Sequence, residues 1–210
     1  MYNLPHFEIS TMPEMHAIIR ACGLAHFVTS APDGLSASPL PLFLDATEGE
    51  YGTLYGHLAR ANGQWKSTPQ HDALAIFLTT DAYITPSWYA VKAETGKVVP
   101  TWNYEIVHAY GTPEFFDAPP RLLEVVSRLT DLHEQKRAEP WKVTDAPADF
   151  VQAQLRGIVG IRMPITRLEG KRKMSQNRSE ADRAGVVNGL LESGQDKDRV
   201  SAEMVPLKSR

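Results

Sequence analysis

Between residues 24 and 115 the chain is a succession of short stretches in which apolar residues alternate with polar ones, and no helix-length amphipathic segment separates the early members. Strands joined this closely pair antiparallel, because a parallel neighbour needs a crossover of a dozen or more residues. The spacing predicts strands over 24–30, 35–44, 51–58 and 72–79, and a long fifth over 98–115. Pro32-Asp33-Gly34 is the turn between the first two. Pro39 and Pro41 cannot donate to a ladder, which places the second strand at an edge or a bulge. Gly111 marks a bulge or a barrel corner. Five or six such strands following one helix specify a small closed or nearly closed barrel, mostly β with peripheral helices, and argue against a parallel α/β sheet.

The helices expected around that barrel announce their ends. Thr11 before Met12-Pro13-Glu14 has the form of a capping box; Met15, Ile18, Ile19 and Cys22 share a face, and Gly23 stops the helix. A helical turn over 59–65 is expected to close at Gly63. Asp117 and Pro119-Pro120 introduce a helix to about 138 with Leu122, Leu123, Val126, Leu129 and His133 on one side, a face that covers either the barrel or a second subunit. Another helix is predicted over 147–156, a late strand is marked by Ile161, Met163, Ile165 and Leu168, and Ser179 with Asp182 caps a last helix. The reading is one domain over 1–192, with helical and basic elements from about residue 117, and a frayed tail over 193–210.

Function is most visible over 82–111, where two Trp, four Tyr and one His stand among Pro, Thr, Ser and Asn. Rings there can stack on a flat ligand while hydroxyls and amides hold its edge, although Tyr and Trp also fill sheets and dimer interfaces. Thr85, Ser87, Trp88 and Lys92 bring hydroxyls, a ring and a cation to one loop, and Thr101 and Asn103 alternate with Trp102 and Tyr104 along the following strand. In GHLARAN, His57, Arg60 and Asn62 sit at a strand-to-helix junction, where free N–H groups favour an anion; Arg60 is read either as a phosphate ligand or as a surface ion pair. In KRKMSQNR, Lys173, Gln176 and Arg178 belong to a donor-rich cluster, read either as a flap over an anion or as a solvated turn.

Charge supports the anion. Residues 156–183 carry eight Lys or Arg against three acids, although the chain as a whole is at −3. That overall charge gives no general attraction to nucleic acid or anionic lipid. Cys22, the single cysteine, is read as a structural thiol; with no signal-like N-terminus and no run of eighteen apolar residues, the expectation is a cytoplasmic protein without a membrane segment. The seven His are scattered without metal-ligand spacing, and no Walker loop, GxGxxG, GxSxG or nucleophile–base spacing occurs, so no metal and no catalytic residue is assigned. His57 and His108 are the acid–base candidates, each equally readable as a hydrogen-bonded strand histidine.

MYNLPHF at 1–7, GHLARAN at 56–62, YITPSWY at 83–89, VPTWNYEIVHAYG at 99–111 and KMSQNR at 173–178 together resemble the PaiB family. The likeness runs in order to about Leu191. The family is described as FMN-binding negative transcriptional regulators with a split β-barrel related to pyridoxamine-phosphate oxidases and flavin reductases. The resemblance implies a homodimer with flavin at its interface, the FMN phosphate near Arg60 and the partner or the basic cluster, and the ring near Thr85, Ser87, Trp88, Thr101 and Asn103. It implies promoter DNA as a partner; the alternative is a flavin-dependent oxidoreductase using a nicotinamide reductant. Gly63 stands where the family often has Pro, and Thr79-Thr80-Asp81 where a Gly-Pro pair often precedes the Tyr-Ile segment.

Overall fold

The computed structural model describes residues 1–32, 34–66 and 71–207. In chain order the elements are β1 (Glu8–Ile9), α1 (Met12–Ala21), β2 (Ala25–Ala31), β3 (Gly34–Leu40), β4 (Leu42–Asp45), β5 (Thr53–Ala59), β6 (Ala73–Ile84), α2 (Val91–Thr95), β7 (Thr101–Gly111) and β8 (Glu114–Phe116). These are followed by α3 (Pro119–Glu134), α4 (Ala148–Arg156), β9 (Ile158–Pro164), β10 (Arg167–Lys173), α5 (Glu180–Glu192) and α6 (Asp196–Met204). The fold is mostly antiparallel sheet with helices outside it. Its residues form two compact units, one of Met1–Ile18, Leu78–Val107 and Glu169–Arg210, the other of Ile19–Phe77 and His108–Leu168.

The second unit holds a four-stranded antiparallel sheet in the order β4-β5-β9-β8, and the ladder β6-β2-β3. Pro41 separates β3 from β4, which belong to different sheets, so the expected second strand is two strands. Pro39 lies on β3, at a sheet edge where a missing donor costs nothing. Phe43, Phe116, Leu122, Val125, Leu129 and Leu155 form a core under α3 and α4. Pro119 starts α3 as expected, but its buried face runs through Leu122, Val125 and Leu129, at i, i+3 and i+7, and Leu123, expected inward, stays 37% exposed. Gly111 ends β7 rather than bulging it: a Cβ there would stand 2.1 Å from the Pro164 carbonyl oxygen. Cys22 lies just past α1, its Sγ donating to the Leu24 carbonyl at 3.1 Å. Gly63 opens a 3-10 turn over Gly63–Lys66 instead of closing one. The predicted turn at Pro32-Asp33-Gly34 includes Asp33, which lies outside the described residues.

The first unit sets β1, β10, β7 and β6 side by side, with Ile9 opposite Gly170. Ala82, Ile84, Tyr89, Val186, Leu190, Ala202 and Val205 make its apolar centre, packed by Trp88. Ser179 caps α5 as expected, its hydroxyl accepting from Asp182 N–H at 3.2 Å. Two expectations fail here. The late strand is two strands, β9 and β10, and the tail expected to fray carries α6, whose Ser201 and Ala202 are buried. A polar helix of this kind hides its inward face by hydrogen bonding, Ser201 Oγ lying 2.9 Å from Thr80 Oγ1.

Candidate functional site

In the first unit the basic segment is mostly strand. Lys171, Arg172 and Lys173 close β10, which removes the flap reading for these three; only the turn after Lys173 projects from the ladder. Lys173 Nζ donates to Thr101 Oγ1 at 2.6 Å and to the Trp102 carbonyl at 2.5 Å. Its pKa is pushed down by burial first, then by the like charges of Lys171 and Arg178. Lys171 is buried, donates to the Tyr2 carbonyl at 3.1 Å and lies 5.4 Å and 5.5 Å from the ring centres of Tyr2 and Tyr104. Arg178 covers the Tyr89 ring at 4.5 Å. By contrast Arg172 is bound by acids, its Nε donating to Glu105 at 2.5 Å and its Nη1 to Glu14 at 3.3 Å.

The turn that follows is tied down from several sides. Ser175 has φ +59°, the one left-handed non-glycine among the described residues, a conformation costing about 1 kcal/mol or more. Its Oγ donates to Asn103 Oδ1 at 3.0 Å. Gln176 accepts from Met174 N–H at 2.6 Å and donates to the Arg172 and His6 carbonyls at 2.5 Å and 3.1 Å, so its amide is used in shaping the turn. Asn103 is fully buried, and its Nδ2 has no hydrogen-bond partner. An unsatisfied buried donor costs about 1–3 kcal/mol, a reason to expect an acceptor from outside the chain.

Close by in sequence, Thr85 Oγ1 accepts from Ser87 N–H at 3.3 Å and Lys92 Nζ donates to Ser87 Oγ at 3.2 Å. The Trp88 ring is pressed against α5: a Cβ on Gly189 would stand 2.2 Å from it. That face of the indole is covered.

His57, Arg60 and Asn62 belong to the second unit. His57 lies opposite Gly160 on β9; its Nδ1 is buried without a partner, and burial pushes its pKa down. Arg60 donates to the Arg156 and Ile158 carbonyls at 2.8 Å and 3.2 Å and pairs with Asp117 at 3.3 Å, which is the ion-pair arrangement. Asn62 donates to Ser38 Oγ at 2.8 Å and accepts from Gln64 N–H at 3.0 Å. Sequence reasoning passed over Gln64, which is buried and bonds Phe27, Thr29, Ser36 and Ser38, and Trp65, whose Nε1 donates to the Arg60 carbonyl at 2.9 Å. It counted Ser175 among the donors of the basic cluster, but its left-handed conformation and its bond to Asn103 leave no signal in the residue type.

Likeness to known proteins first defines the class. The fold is that of flavin-binding split barrels: an FAD- and heme-binding protein of Mycobacterium smegmatis matches with a TM-score of 0.58 at 12% identity, over 79% of this chain and 73% of that one. The chain belongs to the family described as "Putative FMN-binding domain", whose profile matches residues 1–167. An uncharacterised protein of Emericella nidulans is 33% identical over 81% of each chain. "Protease synthase and sporulation protein PAI 2" of Bacillus subtilis is 28% identical over 98% of this chain and 96% of its own.

The family's description is of FMN binding, and the first unit has donors that suit a flavin. Among the described residues neither Lys173 nor Arg178 forms an ion pair with an acid, and Asn103 holds an amide N–H that wants an acceptor. A phosphate suits the former and a carbonyl edge the latter. No helix among the described residues is long and apolar enough to cross a membrane.

Proposed function

We propose that this chain is an FMN-binding protein, with Lys173 and Arg178 holding the phosphate and Asn103, Thr101 and the 85–88 turn meeting the ring. The observation that carries the reading is the clustered positive charge of Lys171, Lys173 and Arg178, with the Lys173 pKa pushed down first by burial and then by its two like-charged neighbours. A bound dianion relieves that repulsion. When bound, the flavin supplies electron and hydride transfer, and the protein contributes orientation and exclusion of water. Burial favours His57 in its neutral form, so a nicotinamide-linked oxidoreductase would rest on the flavin without this histidine as an assigned acid.

The physiological role we propose is regulatory, in a homodimer that acts at promoter DNA. Its support is the likeness, over 98% of this chain, to a Bacillus protein named for protease synthesis and sporulation. Titration with FMN, followed by flavin fluorescence and tryptophan quenching, tests the cofactor: saturation in the micromolar range is expected, and no saturable signal at tens of micromolar overturns it. Sedimentation tests the dimer, and retardation of promoter DNA at low salt tests the partner. Anaerobic bleaching of bound flavin by NADH or NADPH would move the assignment to the oxidoreductase.

A further inference from the structure

Tyr89 is buried in the apolar centre of the first unit, among Ala82, Ile84, Val186, Leu190 and Ala202, yet its hydroxyl forms no hydrogen bond among the described residues. Nearly all buried polar groups are paired in a finished fold, so one that is not calls for a reason. The position is well fixed. Tyr89 N–H donates to the Pro86 carbonyl at 3.2 Å, and the Tyr89 carbonyl accepts from Lys92 N–H at 3.2 Å. Trp88, the residue before it, is seated against Gly185 and Gly189 of α5. With its backbone tied on both sides and its ring packed in the core, the phenol is held where it stands.

Its neighbours decide what is missing. Burial raises the Tyr89 pKa above all, so the phenol keeps its proton, while Arg178 opposes that rise by its charge and as a donor. Arg178 is partly exposed and lies over the ring at 4.5 Å, and it closes no hydrogen bond of ordinary length with the hydroxyl. Asp182 raises the pKa further, but its Oδ1 is taken by Val91 N–H at 3.0 Å and it receives nothing from the hydroxyl. An arginine has donors only, so it can serve the phenol oxygen and leaves the phenol proton without an acceptor. One anionic oxygen between the two would accept from the guanidinium and from the hydroxyl at once.

We propose that Tyr89 is a further flavin-binding residue, its hydroxyl donating to the FMN phosphate beside Arg178. This rests on the phosphate placement proposed above and adds a neutral donor to its two cations. The test titrates FMN and riboflavin, the same ring system without the phosphate, into the parent and into Tyr89→Phe, which removes the hydroxyl alone. The variant should bind FMN about tenfold more weakly and riboflavin as well as the parent does. Free of ligand it should melt no lower than the parent, since no hydrogen bond of the free protein is lost.

Unchanged FMN affinity in Tyr89→Phe overturns the inference, and an equal loss for both flavins does so too, by placing the hydroxyl away from the phosphate. In either case the parent still binds FMN and the proposed function stands. A ligand-free variant that melts several degrees below the parent also overturns it, because the hydroxyl would then already be satisfied. A parent that binds neither flavin sinks the proposed function, and this inference with it.

Discussion

Gly185→Ala probes how α5 is held against the turn that carries Thr85, Ser87 and Trp88. A Cβ at residue 185 would stand 2.0 Å from the Trp88 carbonyl oxygen, and ordinary contact begins near 3.4 Å, so helix and turn must separate by roughly 1.4 Å. The obstacle is backbone and cannot rotate away. Overpacking of this kind costs about 1–3 kcal/mol, and the lack of a side-chain escape places this case near 3. Alanine returns about 1 kcal/mol through helix propensity. The expected net loss is about 2 kcal/mol, or about 4–8 °C in melting temperature for a chain of this size. Thermal melts followed by circular dichroism measure it, with Asn188→Ala as the control because that residue is exposed on the same helix. The control should melt at or slightly above the parent. If Gly185→Ala also melts at or above the parent, α5 does not press on the Trp88 turn, and the account of how that turn is positioned fails.

Four further outcomes are expected. Lys173→Met should weaken FMN by about tenfold in the fluorescence titration and lower the melting temperature by a few degrees, because the hydrogen bonds to Thr101 and to the Trp102 carbonyl are lost together with a cation that burial disfavours. Asn103→Leu should cost the free protein no more than about 1 kcal/mol in denaturant unfolding, because it removes an unsatisfied donor along with the acceptor for Ser175, yet weaken FMN at least as much as the lysine change. His57 has its folded pKa lowered by burial, so its neutral state stabilises the fold above its ordinary value of 6.5 and that stability is lost as pH falls below it; His57→Leu should flatten the melting-temperature profile on that acid side. Asp45, lowered from 3.8 to about 2 by Thr47 and then Arg128, contributes stability that is present above 3.8 and lost as pH falls through about 2. Asp45→Asn should therefore destabilise at neutral pH by about 1–2 kcal/mol in denaturant melts, with the difference fading over that window.

The strands and helices whose apolar residues repeat at period 2 or 3.6 were legible, as were ends marked by Thr11, Pro119 and Ser179. Polar residues with distant partners were not. The expected strand stops at Thr79, yet β6 continues to Ile84, with Thr79 donating to Glu105 at 2.8 Å and Thr80 meeting Ser201. The basic run at 171–173 reads as solvated for the same reason: its aromatic and acidic partners, Tyr2, Tyr104, Glu14 and Glu105, are more than sixty residues away in sequence. The candidate ligand groups were legible as residue types. Their grouping was not, because a spacing pattern cannot say that Asn103 keeps one N–H unbonded or that Gln176 spends its amide on the turn.

The pairing of β1 with β10 carries a consequence for synthesis. Glu8 faces Lys171 and Ile9 faces Gly170, so the first strand leaves the ribosome well before its partner exists. At about 5–20 residues per second, the wait is on the order of ten to thirty seconds. During it Phe7 and Ile9, both buried in the finished fold, stay exposed, flanked by the polar side chains of His6, Glu8 and Ser10, which keep the nascent segment hydrated. Pairing of the two-residue strand therefore has to close a loop of more than 150 residues, a contact of high sequence separation that a chaperone can shield and a protease can intercept while it is unmade.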